Sequence, residues 1–152
     1  MGHLTEILSR AQERAKEVRV GYEGILLPHE AVELLELAPG ARIVDVRSRA
    51  ELDLVGVIPG AVHVEFRHFP GWTLNPHFLT QLRQSTDPES LTMFISRNGV
   101  RSHQATLAAK EAGWRESYNV AEGFEGDFDK NTSRRNGING WKVRGLPWLQ
   151  AP

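Results

Sequence analysis

Short β-branched or apolar runs alternate with segments of helical periodicity along this chain, and that alternation restricts it to a few layered architectures. The extended runs are Arg42-Ile43-Val44-Asp45-Val46-Arg47, Val62 to Val64, Leu91-Thr92-Met93-Phe94-Ile95 and Ser117-Tyr118-Asn119-Val120. Between them, Pro28 suits the first turn of a helix reaching about Leu37, stopped by Pro39-Gly40. Pro76 opens another helix with Phe78, Leu79 and Leu82 on one face. An alanine-rich helix over Ser102 to Ala112 closes at Gly113. Ile58-Pro59-Gly60-Ala61 reads as a turn, and Pro70-Gly71 with Asn75-Pro76 punctuates a loop. Strand, helix and strand in this order predict an α/β domain with a mostly parallel central sheet flanked by helices.

An extra element precedes that pattern. Leu4, Ile7, Leu8, Ala11, Ala15 and Val18 recur at helical spacing between charged residues, which predicts an N-terminal amphipathic helix within residues 1–22, ended by Gly21. Its apolar stripe is expected to pack on its own domain; docking a partner is the alternative. At 152 residues the remaining 23–152 fit one domain. Eighteen Lys/Arg against nineteen Asp/Glu argue against a dedicated nucleic-acid binder. No apolar run approaches the roughly 18 residues of a membrane helix, and Met1 to Glu6 lacks the apolar core of a secretion signal. A cytoplasmic location without membrane attachment is the expectation. The chain has no cysteine, which excludes disulfides, thiolate metal sites and thiol catalysis by its own residues.

Ser96-Arg97-Asn98-Gly99-Val100-Arg101-Ser102 joins a predicted strand to a predicted helix. In open parallel sheets, ligands bind beyond the carboxyl ends of the strands, where such loops lie. A glycine turn feeding a helix N-terminus can aim several backbone N–H groups at one point, and the helix dipole adds positive potential there. Arg97 and Arg101 contribute full charges unless they point into solvent. The segment is therefore a candidate anion cradle. The plainer alternative is an ordinary connection with Ser102 as N-cap.

These residues resemble the active loop of the rhodanese-like domains, the fold of the single-domain sulfurtransferases. That family's loop runs Cys-Arg-x-Gly-x-Arg-Ser, and Ser96 stands where it carries the cysteine. Further motifs resemble the family in its own order: Ile43 to Arg47 with Glu51, Gly56-Val57-Ile58-Pro59-Gly60-Ala61, Ala112-Gly113-Trp114, Tyr118-Asn119-Val120, and Gly140-Trp141-Lys142-Val143-Arg144-Gly145-Leu146-Pro147. The resemblance spans about residues 24–148. It departs at Val57, where histidine is customary, and at Glu122-Gly123, where two glycines are common. The polar segment 127–139 is longer than usual and is expected to form an exposed extra loop. It opens a basic stretch containing Lys130, Arg134, Arg135, Lys142 and Arg144, read as a solvated surface.

The resemblance implies transfer of sulfane sulfur from a small anionic donor such as thiosulfate to a thiol or cyanide acceptor, with no cofactor. The loop cysteine carries the sulfur as a persulfide, and a cradle of this kind lowers a thiol pKa from about 8.5 into the range of roughly 3.5–7.5. Ser96 then marks the nucleophile position, while the loop backbone and Arg101 bind the donor. A serine hydroxyl ionises far above that range, and a serine nucleophile needs an adjacent oriented base. His103 is the nearest candidate and is read as a solvent-facing helix residue. This chain is accordingly expected not to transfer sulfur. Ser96 reflects either a deliberate Cys-to-Ser change or a natural loss.

Two other functions stay open: a non-catalytic anion- or partner-binding regulatory module, and the phosphatases related to this fold. The latter carry one more residue between nucleophile and arginine than the spacing from Ser96 to Arg101. Asp45, Arg47 and Glu51 are read as charges that pair with each other or brace the loop. Trp72, Trp114, Trp141 and Trp148 are read as core or rim packing. The six histidines show no metal-ligand spacing, so no metal is expected.

Overall fold

The computed structural model describes residues 2–150 and Pro152. It opens with helix α1 (His3–Val18), strand β1 (Gly24–Leu26), helix α2 (Pro28–Leu37) and strand β2 (Arg42–Asp45). Helix α3 (Arg49–Val55) and strands β3 (Val62–His63), β4 (Arg67–His68) and β5 (Thr73–Leu74) follow. Helix α4 (Phe78–Ser85), strand β6 (Thr92–Ile95), helix α5 (Val100–Glu111) and strand β7 (Ser117–Val120) complete the order. Five strands form one all-parallel sheet in the order β1-β7-β6-β2-β3, and β4 and β5 form a separate antiparallel hairpin. The mostly parallel α/β architecture expected from the alternation is present, with its N-terminal helix.

Strand pleating explains why β2 and β6 carry apolar side chains at successive positions, Ile43-Val44 and Met93-Phe94-Ile95. Successive side chains point to opposite faces, and helices cover both faces of a parallel sheet. Ile43, Met93 and Ile95 join the core beneath α1 and α2, with Ile7, Ala11, Leu26, Leu34, Tyr118 and Trp141. Val44 and Phe94 join the other core, with Phe78, Leu82, Ala105, Ala109 and Trp114. The two deepest indoles keep their N–H groups bonded, Trp114 to Thr86 Oγ1 at 3.0 Å and Trp141 to the Pro147 carbonyl at 2.8 Å.

Helix α1 buries Ile7, Ala11 and Ala15 completely or nearly so, and it packs on β1 within its own domain as expected. Arg14 reaches across to α2, donating to Glu30 at 2.7 and 3.0 Å while Glu30 accepts the Leu27 N–H. The helix stops at the left-handed Arg19, whose φ is 54°, two residues before the expected Gly21. Pro28 begins α2 and β7 spans the expected residues.

Two elements depart from expectation. Ser48 and Glu51 form a reciprocal N-terminal cap on α3, a helix the periodicity did not suggest because it buries Leu52 alone. The predicted loop around Pro70-Gly71 contains the β4–β5 hairpin, whose two-residue strands are too short to show alternation.

A candidate sulfur-type active loop

Strand β6 ends at Ile95, and Ser96 begins the turn into α5. Three neighbouring groups converge on its side chain. The Gly99 and Ser102 N–H groups donate to Ser96 Oγ at 3.2 and 3.1 Å, and that hydroxyl donates to Ser102 Oγ at 3.0 Å. The wrap requires Gly99 at φ +96°, a left-handed conformation that glycine accepts without strain. Helix α5 therefore starts at Val100 with Gly99 as N-cap, two residues before the expected Ser102, and the alternative in which Ser102 caps the helix does not occur. A cap at Ser102 would have left its N–H outside the cradle. Asn98 Oδ1 accepts the Val100 N–H at 3.4 Å, and the Val100 side chain faces solvent.

The segment after β7 lies directly on this loop. Phe124 N–H donates to the Ser96 carbonyl at 2.8 Å, and Glu125 and Gly126 N–H groups donate to the Arg97 carbonyl at 2.9 and 3.1 Å. Gly123 has φ +68°, and a Cβ there would stand 2.5 Å from the Ser96 carbonyl oxygen, so the close approach demands glycine. Glu122 is not glycine yet adopts φ +71°. Its carboxylate accepts from Arg144 at 2.6 and 2.8 Å and from the Gly140 N–H at 2.9 Å, which holds that conformation in place. Ser96 itself has no solvent exposure.

The charged residues divide into two sets. Asp45 and Arg47 pair within the core: Arg47 donates to both carboxylate oxygens at 2.6 to 3.1 Å and to the Gly56 carbonyl at 2.9 Å. Its guanidinium lies 4.0 Å from the centre of the Phe124 ring. Glu51 instead braces the loop, accepting from Arg101 at 2.8 Å on each oxygen. Burial pushes the Glu51 carboxyl up, but the Arg101 pair and the Ser48 hydrogen bonds outweigh it and hold it below its ordinary value. Both readings of the Asp45, Arg47 and Glu51 set thus occur in the molecule.

Arg101 is committed to Glu51 and lies under Trp72, 4.5 Å from the ring centre. Arg97 forms no ion pair among the described residues, and its Nε is buried without a hydrogen-bond partner. Burial, then the nearby Arg135 and Arg101 charges, lower its proton affinity. Of the two loop arginines, Arg97 is the one that faces a cavity without an ion-pair partner among the described residues. That cavity, about 260 Å³, is lined by Ala50, Glu51, Leu54, Val55, Phe69, Trp72, Arg97, Glu125 and Arg135. A second hollow, about 410 Å³, shares Trp72 and Arg97 with it and adjoins Asn98, Val100 and Arg101. A third, about 450 Å³ at Gly40, Arg42 and Ser90, lies by the amino ends of β2 and β6 and holds none of the loop residues.

Several expectations change here. His103 is half-buried, with Nδ1 2.7 Å from the Tyr22 hydroxyl, rather than solvent-facing. Trp72 is more than rim packing, because it covers the loop arginines; Trp114 and Trp141 are core. The basic stretch is not simply a solvated surface: Arg144 pairs with Glu122, Lys142 Nζ sits 4.0 Å over the Trp148 ring, and Arg135 enters the cavity. Trp72, Phe69 and Arg135 went unrecognised as site residues. The charge of the stretch was a signal for Arg135, and nothing local marked the other two. Among the described residues no group of three His, Asp or Glu side chains is placed to hold a metal, and no helix is long and apolar enough to cross a membrane.

The model of the rhodanese-like domain family matches residues 27–129. The chain is 31% identical over 121 residues to an uncharacterised protein of Rickettsia rickettsii, the RP600 homolog, covering 78% of this chain and 91% of that one. The crystal structure of Rv0390 from M. tuberculosis is similar with a TM-score of 0.78 and 39% identity, covering 86% of this chain and 99% of that one. The polysulfide-sulfur transferase homodimer of Wolinella succinogenes shares the fold, with a TM-score of 0.59, 19% identity and coverage of 99% and 95%.

Proposed function

The chain belongs to the rhodanese-like domain family, and from that premise we propose that it is a sulfurtransferase-type domain with serine at the nucleophile position. The observation that carries this reading is the convergence of the Gly99 and Ser102 N–H groups on Ser96 Oγ at 3.2 and 3.1 Å, at the N-terminus of α5. Donors so placed favour a negative charge on whatever atom they surround. A thiol in that place ionises readily and attacks sulfur; a hydroxyl does not.

Nothing at the site compensates for the missing thiol. The hydrogen-bond partners of Ser96 Oγ among the described residues are Ser102 Oγ and the two N–H groups, and His103 is bonded to Tyr22 instead. Among the described residues no imidazole or carboxylate is positioned to take the Ser96 proton, as a serine nucleophile requires. The protein as it stands is therefore inactive in sulfur transfer. Residues Arg97 to Ser102 supply the donor site, with Arg97 and the loop backbone drawing in the anion and Arg101 held in position by Glu51. Asp45 and Arg47 act on the loop only through the core, where Arg47 packs on Phe124, whose N–H donates to the Ser96 carbonyl. The substrates are a small anionic sulfur donor such as thiosulfate and a thiol or cyanide acceptor. A cytoplasmic setting, where thiols stay reduced, goes with this reading.

The test is the S96C variant with thiosulfate and cyanide. Its thiolate bonds to the outer sulfur of thiosulfate, sulfite leaves with the electron pair of the broken S–S bond, and cyanide removes the sulfur as thiocyanate. Thiocyanate formation by S96C but not by the parent chain is expected, and no gain by S96C would overturn the proposal. Turnover of an aryl phosphate by S96C would point to phosphatase chemistry instead. The completeness of the cradle around a hydroxyl favours a second reading, a regulatory module that binds anions without turnover. Titration of the parent chain with thiosulfate, sulfate and phosphate tests it, and a site that binds none of them removes its support.

A further inference from the structure

The extra loop 127–139 brings a cation to the site. Arg135 donates to the Gly126 carbonyl at 2.9 Å, which docks the loop against the strap over Ser96, and its guanidinium lines the same cavity as Arg97. Neither arginine forms an ion pair among the described residues, although Glu125 also borders the space. Two positive groups from distant segments face one hollow, one with a buried and unpartnered Nε. Glu51 also borders it, with both oxygens engaged by Arg101, and the remaining wall is apolar: Ala50, Leu54, Val55, Phe69 and Trp72. Leu54 and Phe69 stand 75% and 55% exposed there, so apolar surface remains in water beside the charges.

An inorganic anion would satisfy the arginines and leave that wall wet, and a neutral apolar ligand would do the reverse. We infer that the cavity binds a small organic anion, its charged head between Arg97 and Arg135 and its apolar body against Phe69, Trp72 and Leu54. Arg135 is then a specificity-determining residue supplied by the extra loop. This inference rests on the sulfurtransferase reading in taking the ligand as a substrate of the Ser96 site, an organosulfur anion such as a thiosulfonate, R–SO2–S⁻. With S96C, the thiolate bonds to the outer sulfur of that donor and the S–SO2 bond breaks. The sulfinate leaves with the electron pair, and cyanide carries the sulfur away as thiocyanate.

Binding to the unaltered chain is measured first, by calorimetry, with benzenesulfonate, sulfate and uncharged benzenesulfonamide. Benzenesulfonate is expected to bind about tenfold more tightly than either, and R135Q to lose about tenfold of that affinity, the lower range for a charge-assisted hydrogen bond at an open site. R134Q removes a neighbouring exposed charge that does not line the cavity and is expected to change nothing. Equal affinities for the three ligands, or equal losses in R134Q and R135Q, would overturn the inference. If R135Q fails to fold, F69A takes its place: weaker benzenesulfonate binding with sulfate unchanged supports the inference, and no change for benzenesulfonate contradicts it.

Turnover separates this inference from the function it deepens. In S96C, adding R135Q is expected to lower the ratio of benzenethiosulfonate to thiosulfate turnover about tenfold. Thiosulfate turnover by S96C with a ratio indifferent to R135Q sinks the inference and leaves the function standing. Arg135-dependent benzenesulfonate binding in a chain whose S96C form is silent supports the cavity and removes the sulfur chemistry.

Discussion

Two arginine–carboxylate pairs are bidentate, Arg47 with Asp45 through Nε and one terminal nitrogen and Arg101 with Glu51 through both terminal nitrogens. Their surroundings differ. Arg47 and Asp45 are 0% and 2% exposed, and Arg47 also meets the Gly56 carbonyl and the Phe124 ring. Arg101 and Glu51 are 11% exposed each and meet Trp72 and the α3 cap. The first pair joins β2 to Gly56, just past α3, and is a fixture of the core. The second holds the Ser96–Ser102 loop against α3 at the edge of solvent. The same pairing of charges thus lies in the core in one place and beside the candidate site in the other, and burial separates the two.

The comparison breaks most visibly if the buried pair is cut. Arg47→Met leaves the Asp45 carboxylate in the core without its cation, and a loss of about 3–5 kcal/mol in urea unfolding is expected. A cost below about 1 kcal/mol would show that water or rearrangement reaches Asp45, and the contrast between the pairs would collapse.

Glu51→Gln should cost less, about 1–3 kcal/mol, because Arg101 keeps access to solvent when its partner loses charge. It also carries a pH signature. Glu51 is held below its ordinary value of 4.5 in the folded protein. Its contribution to stability is therefore complete above about pH 4.5 and lost as pH falls through the folded value. Unfolding followed by denaturant at several pH values should show a parent chain that loses its advantage over E51Q below that pH. An advantage that persists in acid would remove the ionic account of this pair.

The smallest effect is expected at Arg49–Asp53, one helical turn apart on α3 with side chains 77% and 59% exposed. Asp53→Ala should change stability by no more than about 0.5 kcal/mol. A larger thermal shift would mean that exposure does not rank these pairs and would reopen the assignment of Arg47 to structure and Arg101 to the site.

Much of this molecule was legible from local pattern. Helix α2, strands β2 and β6 and the turn at Ser96 follow from proline placement, β-branched runs and a glycine before a helix, each readable within a few residues. Helix α3 was also legible in Ser48-x-x-Glu51, but a seven-residue helix with one buried side chain has too little periodicity to show itself. Tyr22–His103, separated by 81 positions, and Glu51–Arg101, separated by 50, had no local trace.

The sequence by itself determined an α/β chain with a cradle at Ser96 and no thiol to fill it, because propensity, turn chemistry and the identity of one side chain act over short distances. Only the tertiary structure decided which arginine is neutralised and which faces a cavity. That choice depends on sheet order, which sets β6 between β2 and β7. The order carries Glu51 to Arg101 and Gly123 onto Ser96, and the loop beyond carries Arg135 to Arg97. Electrostatic partners are assigned by proximity in space, and proximity between distant segments is created by packing rather than by spacing along the chain.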